Sequence, residues 1–201
     1  MSIVKLNNRS VKDITAFGSI SSLGSLSHIA TQTASSSASL SFTSGIDSTY
    51  KEYIFYFVNM HPVTDNVDFR FQANRVSGSG YNETITSTNF QAYHEENGSS
   101  AVLQYRADYD QAQGTAFQLL GNTCGNGNDE SISGYLHIFN PSSTTFVKHY
   151  IARTNTYYYG DITIDLYSAG YFNVESALDE FQFKFSSGNI DSGQILLFGL
   201  N

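Results

Sequence analysis

The stretch Gly134–Ala152, GYLHIFNPSSTTFVKHYIA, decides the fold class. Leu136 and Ile138 share one parity while Tyr135, His137 and Phe139 share the other, which is the period-two signature of a strand with two different faces. Pro141 has no N–H to give to a ladder, so this strand is predicted to stop near Asn140. A polar turn follows, and Phe146–Ala152 restarts the pattern as a second strand. Two strands joined by a short polar turn are the building unit of an antiparallel β protein.

The same unit recurs along the chain. Leu40 and Phe42 alternate with Ser39, Ser41 and Thr43, and Tyr50–Met60 forms a longer aromatic and β-branched run. In that run Tyr53, Phe55 and Phe57 lie on one side and Ile54, Tyr56 and Val58 on the other, so neither face is strongly polar. A strand apolar on both sides is either central and covered or buried at a subunit contact. Pro62 terminates it as Pro141 terminates the later one. Val67–Arg75 alternates cleanly between core and solvent, and further strands are predicted at Thr84–Tyr93, Thr115–Leu120, Ile162–Tyr167, Phe181–Phe185 and Gln194–Leu200. Asn97-Gly98 marks a turn, Gly121–Asp129 reads as a loop that includes Cys124, and Val174–Leu178 is a short helix or turn.

No helical period is sustained for three turns, and the gaps between strands vary too much for a solenoid. The count is nine to eleven strands, whose apolar sides require a facing layer. The predicted fold is all-β, a two-sheet antiparallel β-sandwich of the jelly-roll type over residues 28–201. Residues 1–27, with weak periodicity and a Ser-rich run, read as an N-terminal arm or assembly segment, or as a frayed terminus.

Composition narrows the function. Charged residues make up only 14% of the 201 residues, below the roughly one quarter of an ordinary soluble domain, so the polar surface is built from Ser, Thr, Asn, Gln and Tyr. Fourteen Tyr and fifteen Phe with no Trp supply flat area for cross-strand pairs and subunit contacts. The net charge of −8, without a basic patch, argues against nucleic acid as a partner. No secretory signal or membrane-spanning run is read from the sequence, and the expected site of synthesis is a reducing cytoplasm.

Chemistry-bearing motifs are sparse. Cys124 is the single cysteine and is read as a lone thiol. The acidic pairs Asp65/Asp68, Glu95/Glu96 and Asp108/Asp110 lack partners that would divide acid and base roles. Asp65–Asp68 and Gly127–Glu130 carry oxygen donors but fall short of a calcium loop, and read as solvated turns. His137 and His149 sit on adjacent strands without a third ligand. Serines abound, but none lies in a nucleophile elbow. The expectation is no enzyme, no catalytic residue, no cofactor and no metal. The aromatic set Tyr157, Tyr158, Tyr159, Tyr167, Tyr171 and Phe172, with Phe17 in the arm, is the candidate assembly or receptor contact.

The segments TQTASSSASLSFTSGIDSTYKEYIF, HIFNPSSTTFVKHYIARTN, AGYFN and QFKFSSGNIDSGQILLFG carry a resemblance. They are similar to a family of virion structural proteins of marine tailed phages, over about Thr31 to Gly199, and the opening VKLNNRSVKDITAFG resembles the start of its members. The resemblance implies a component of the virion and no catalytic residues. The expected role is a capsid decoration or cement protein that touches other virion proteins, including the major capsid protein, as a homo-oligomer such as a trimer. The alternative is a tail or fibre component that contacts a host-surface glycan or protein.

Overall fold

The computed structural model describes residues 26–200, which form thirteen strands and one turn of 3-10 helix. Phe17 and the predicted arm up to residue 25 lie outside the described residues. The strands are β1 (Ser27–Thr33), β2 (Leu40–Phe42), β3 (Glu52–Pro62), β4 (Val67–Arg75), β5 (Ile85–Glu95), β6 (Ala101–Tyr105), β7 (Ala112–Gly114), β8 (Gln118–Cys124), β9 (Ile132–Phe139), β10 (Lys148–Tyr158), β11 (Ile162–Phe172), β12 (Leu178–Phe185) and β13 (Ile190–Leu200). The 3-10 turn is Ala107–Tyr109.

Every pairing between these strands is antiparallel. One arm of the sheet runs β1-β13-β3-β9-β10-β11-β5, with β6 and β7 both on β5; the other runs β8-β4-β12-β2. The arms join at one residue pair, Tyr158 on β10 with Cys124 on β8. At the far side, Gln32 on β1 donates to the Ser41 carbonyl of β2 at 3.3 Å, and Ser37 bridges to Ile190. The sheet therefore curls until it is nearly closed on itself.

The curl is set by where the large rings point. Phe55 and Phe57 of β3 meet Phe181 and Phe183 of β12, with centroids 5.0–5.4 Å apart, although the two strands share no ladder. Phe69, Phe71, Phe172 and Tyr150 extend the same cluster, mostly in edge-to-face pairs that the ring quadrupole favours. These are the apolar parities that the sequence pattern assigns to β4 and β12; in β3, where the pattern leaves both faces apolar, the fold turns Tyr53, Phe55 and Phe57 inward. The all-β, antiparallel reading holds.

Several boundaries differ from the sequence reading. The strand count is thirteen, because the predicted strands do not include β1, β6 and β7; β7 has three residues and β6 only five, too short for a period to stand out. Gly121–Cys124 is the end of β8 and not a loop: Gly121 and Cys124 pair with Phe69 and Val67 of β4, and Asn122 and Thr123 bulge out between them, with Thr123 at φ +50°. Strands β10 and β11 run to eleven residues each and take in Tyr157, Tyr158, Tyr171 and Phe172, which lie beyond the predicted strands Phe146–Ala152 and Ile162–Tyr167. Lys148, fully buried, ties two turns together: its ammonium donates to the carbonyls of Phe146, Val174 and Glu175 at 2.8–2.9 Å. Burial lowers its pKa, an effect that the nearby Glu175 carboxylate opposes.

Candidate interaction surface

The long arm of the sheet has an inner face in the core and an outer face in solvent. Register carries one outward row across six neighbouring strands: Tyr56 opposite Tyr135, Tyr135 opposite Arg153, Arg153 opposite Tyr167, Tyr167 opposite Phe90, and Phe90 opposite Tyr105. Side chains directly opposite on one face of a pleated sheet stand about 4.5–5.5 Å apart, close enough to pack as a continuous ladder. Phe90 and Tyr167 stack with centroids 4.7 Å apart and planes 5° from parallel. The Arg153 guanidinium lies 4.8 Å over the Tyr167 ring and forks onto Asp165 with bonds of 2.9 and 2.8 Å. That fork raises the Arg153 pKa further and holds the cation against the ring.

The ladder ends on exposed residues: Phe90 is 44%, Tyr105 62% and Leu103 74% accessible. Beside it, Phe139, His149, Ile151, Ala169 and Tyr171 line a shallow apolar groove of about 510 Å³. His137 packs between Tyr135 and Phe139, and His149 packs edge-on against Tyr171, so both histidines belong to this aromatic face. Burial lowers the His137 pKa, which favours the neutral imidazole in this apolar setting.

A second concavity, about 330 Å³, opens on the inner side of the same arm, where the β5–β11 end is not covered by the core. Gln91 of β5 and Gln104 of β6 are register partners there. The 3-10 turn closes one wall and is held down by two amides, since Asn89 and Gln118 both donate to the Tyr109 carbonyl at 3.0 and 3.2 Å. Arg106 lies 3.9 Å over the Tyr109 ring and is forked by Asp108 at 3.0 and 2.7 Å. Asn122 and Thr123 from β8 and Tyr158 from β10 complete the opposite wall.

The predicted contact residues separate into three groups. Tyr167 and Tyr171 lie on the outer face, and Tyr157 projects to the same side as its partner Thr163. Tyr158 turns inward to the concavity, with Tyr159 tilted against it at 4.4 Å. Hydrogen bonding with Tyr159 and burial push the Tyr158 phenol up to about 12, so it is a neutral O–H at ordinary pH. Phe172 is fully buried against Tyr150, Phe71 and Phe181 and is a core residue, not a contact. Strand parity assigns this: in β11, residues 164, 166, 168 and 172 face inward and 167, 169 and 171 outward.

Sequence reasoning missed Phe90, Leu103, Tyr105 and Arg153. The available signal was alternation in Ala101–Tyr105, where Leu103 and Tyr105 share the parity of Ala101. Of the acidic pairs, Asp68 is engaged by Arg70 at 2.6 Å and by the Thr123 N–H at 3.0 Å, and Glu130 accepts the Gly127 N–H. Among the described residues no three His, Cys, Asp or Glu side chains are grouped so as to hold a metal ion. Comparison of the chain with protein-family models, curated proteins and solved structures finds no match in any of the three.

Proposed function

We propose that this chain is a non-enzymatic structural protein of a phage particle, one that decorates the capsid shell and joins neighbouring subunits through the outer face of its long sheet arm. In this reading the two arms are the layers of a jelly-roll-like sandwich, and the second layer leaves the outer face of the first free for assembly. The observation that carries the proposal is the ladder Tyr56–Tyr135–Arg153–Tyr167–Phe90–Tyr105, an aromatic row on a solvent-facing sheet surface. Large contiguous apolar patches on a soluble surface mark contact sites, and Tyr, Phe and Arg are the residues that interfaces concentrate. The partners are other virion proteins, with the major capsid protein foremost, and further copies of this chain. A repeated lattice multiplies weak contacts through effective concentration.

A second reading, a tail or fibre component touching a host-surface glycan or protein, is favoured by the Tyr158–Tyr159 pair beside the inner concavity. Gold labelling of intact particles with an antibody to this chain tests both readings. Dense label over the shell is expected; label confined to the tail supports the second reading, and particles without label overturn the virion role.

A further inference from the structure

The inner concavity holds polar atoms that the protein itself leaves unsatisfied. Gln91 and Asn122 are each only 2% accessible, both line the cavity, and Gln91 Oε1 and Asn122 Oδ1 have no hydrogen-bond donor. A buried acceptor without a partner is costly, so two such carbonyls at one cavity point to a group that supplies donors there. The terminal torsion of an amide side chain is broad, so rotation presents either the carbonyl or the NH₂ edge to the space.

The remaining walls define what that group is. Tyr93, Tyr109 and Tyr158 contribute rings, and Gln104 adds a second free amide opposite Gln91. Burial raises the Tyr109 pKa, and Tyr158 is raised to about 12, so both phenols remain uncharged O–H groups. The one cation of the lining, Arg106, is already forked by Asp108, so it offers little pull on a free anion. Glu95, at the rim, accepts the Ser99 hydroxyl and disfavours an anionic ligand. The cavity lies within the range of about 300–1,000 Å³ typical of small-molecule sites.

We infer that this cavity is a binding site for a neutral saccharide, with the Gln91, Gln104 and Asn122 amides reading hydroxyl groups and the Tyr109 and Tyr158 rings packing on the C–H face of the sugar. Each pyranose hydroxyl is at once a donor and an acceptor, which matches amides that carry both. Aromatic rings bury the apolar face of the same molecule at low entropic cost. Saccharide binding here deepens the glycan contact of the second reading, and in the isolated chain it is tested independently of where the chain sits on a particle.

Saturation-transfer NMR on the full chain with glucose, galactose, mannose and N-acetylglucosamine, each presented singly, tests this. Transfer to at least one sugar is expected, with shifts confined to tyrosine ring signals of the cavity. Gln104→Ala and Tyr109→Ala, both at positions outside the core, are expected to weaken binding about tenfold or more, the equivalent of ~1.4 kcal/mol. Their circular dichroism and thermal midpoints report whether the fold is kept, and Val76→Ser, at an exposed position outside both the cavity lining and the ladder, serves as the variant that leaves binding unchanged. Absence of transfer to all four sugars, or transfer equal in the wild type and both cavity variants, overturns the inference.

Discussion

Cys124 shows how position, not residue type, sets reactivity. It is fully buried where the two sheet arms meet, and burial, with a smaller push from Glu130 and Asp65, raises its thiol to about 12. A thiol held protonated is a poor nucleophile, so Cys124 should resist iodoacetamide in the native protein at about pH 8 and react once urea unfolds it. Labelling at equal rates in both states would contradict the burial. Tyr150 is also raised, chiefly by burial. Both groups bind their protons more tightly when folded, so their contribution is fully present below about pH 9 and is lost as pH climbs toward the folded-state values. The urea midpoint should therefore fall between about pH 9 and pH 11, and less steeply in Cys124→Ala; a flat profile would refute the linkage. Lys148 is a separate case, because its three carbonyl partners have no other donor among the hydrogen bonds described. Lys148→Met keeps the length and removes the donor, and a loss of about 3 kcal/mol in urea denaturation is expected.

At the level of the element, β13 is the strand on which the sheet is registered. It lies between β1 and β3, and its ladder with β3 breaks twice, between Ile190 and Ser192 and between Ser192 and Gln194. Gly193 sits in that irregularity at φ +117°, and a Cβ there would lie 2.5 Å from the Asn59 carbonyl oxygen. Asn59 is itself at φ +51°, so the bulge uses an unusual backbone conformation on both strands. Gly193→Ala combines backbone strain with a clash against main chain, and a destabilisation of about 2 kcal/mol or more in thermal unfolding is expected. A change under about 0.5 kcal/mol would mean that the bulge relaxes freely. The strands themselves were legible because Val67–Arg75 and Phe181–Phe185 alternate strictly. The bulge was not, since a Ser-Gly pair before an apolar run reads equally well as a turn.

Across the whole molecule the two faces of the long arm do different work. The inner face packs the aromatic core, and the outer face repeats the aromatic chemistry where no layer covers it among the described residues. Leu103→Glu places a carboxylate at the most exposed end of the ladder, where surface substitutions usually change stability by less than about 0.5 kcal/mol. It is expected to shift sedimentation toward the monomer at high protein concentration while leaving the thermal midpoint unchanged. Identical sedimentation of variant and wild type would remove this face from the assembly surface.

Period-two alternation and the prolines after Asn140 and His61 determined that the chain is all-β and antiparallel, because side-chain parity and the missing N–H act within a few residues. The same parity separates Leu136 and Ile138 from Tyr135 and His137 before any partner strand is known. Which strands become neighbours was decided only by the tertiary structure, since the pairings of β10 with β8 and β11 with β5 join residues far apart in sequence. The cavity follows from that folding: Gln91, Asn122 and Tyr158 carry no local signal, and closing the sheet is what sets them around one space.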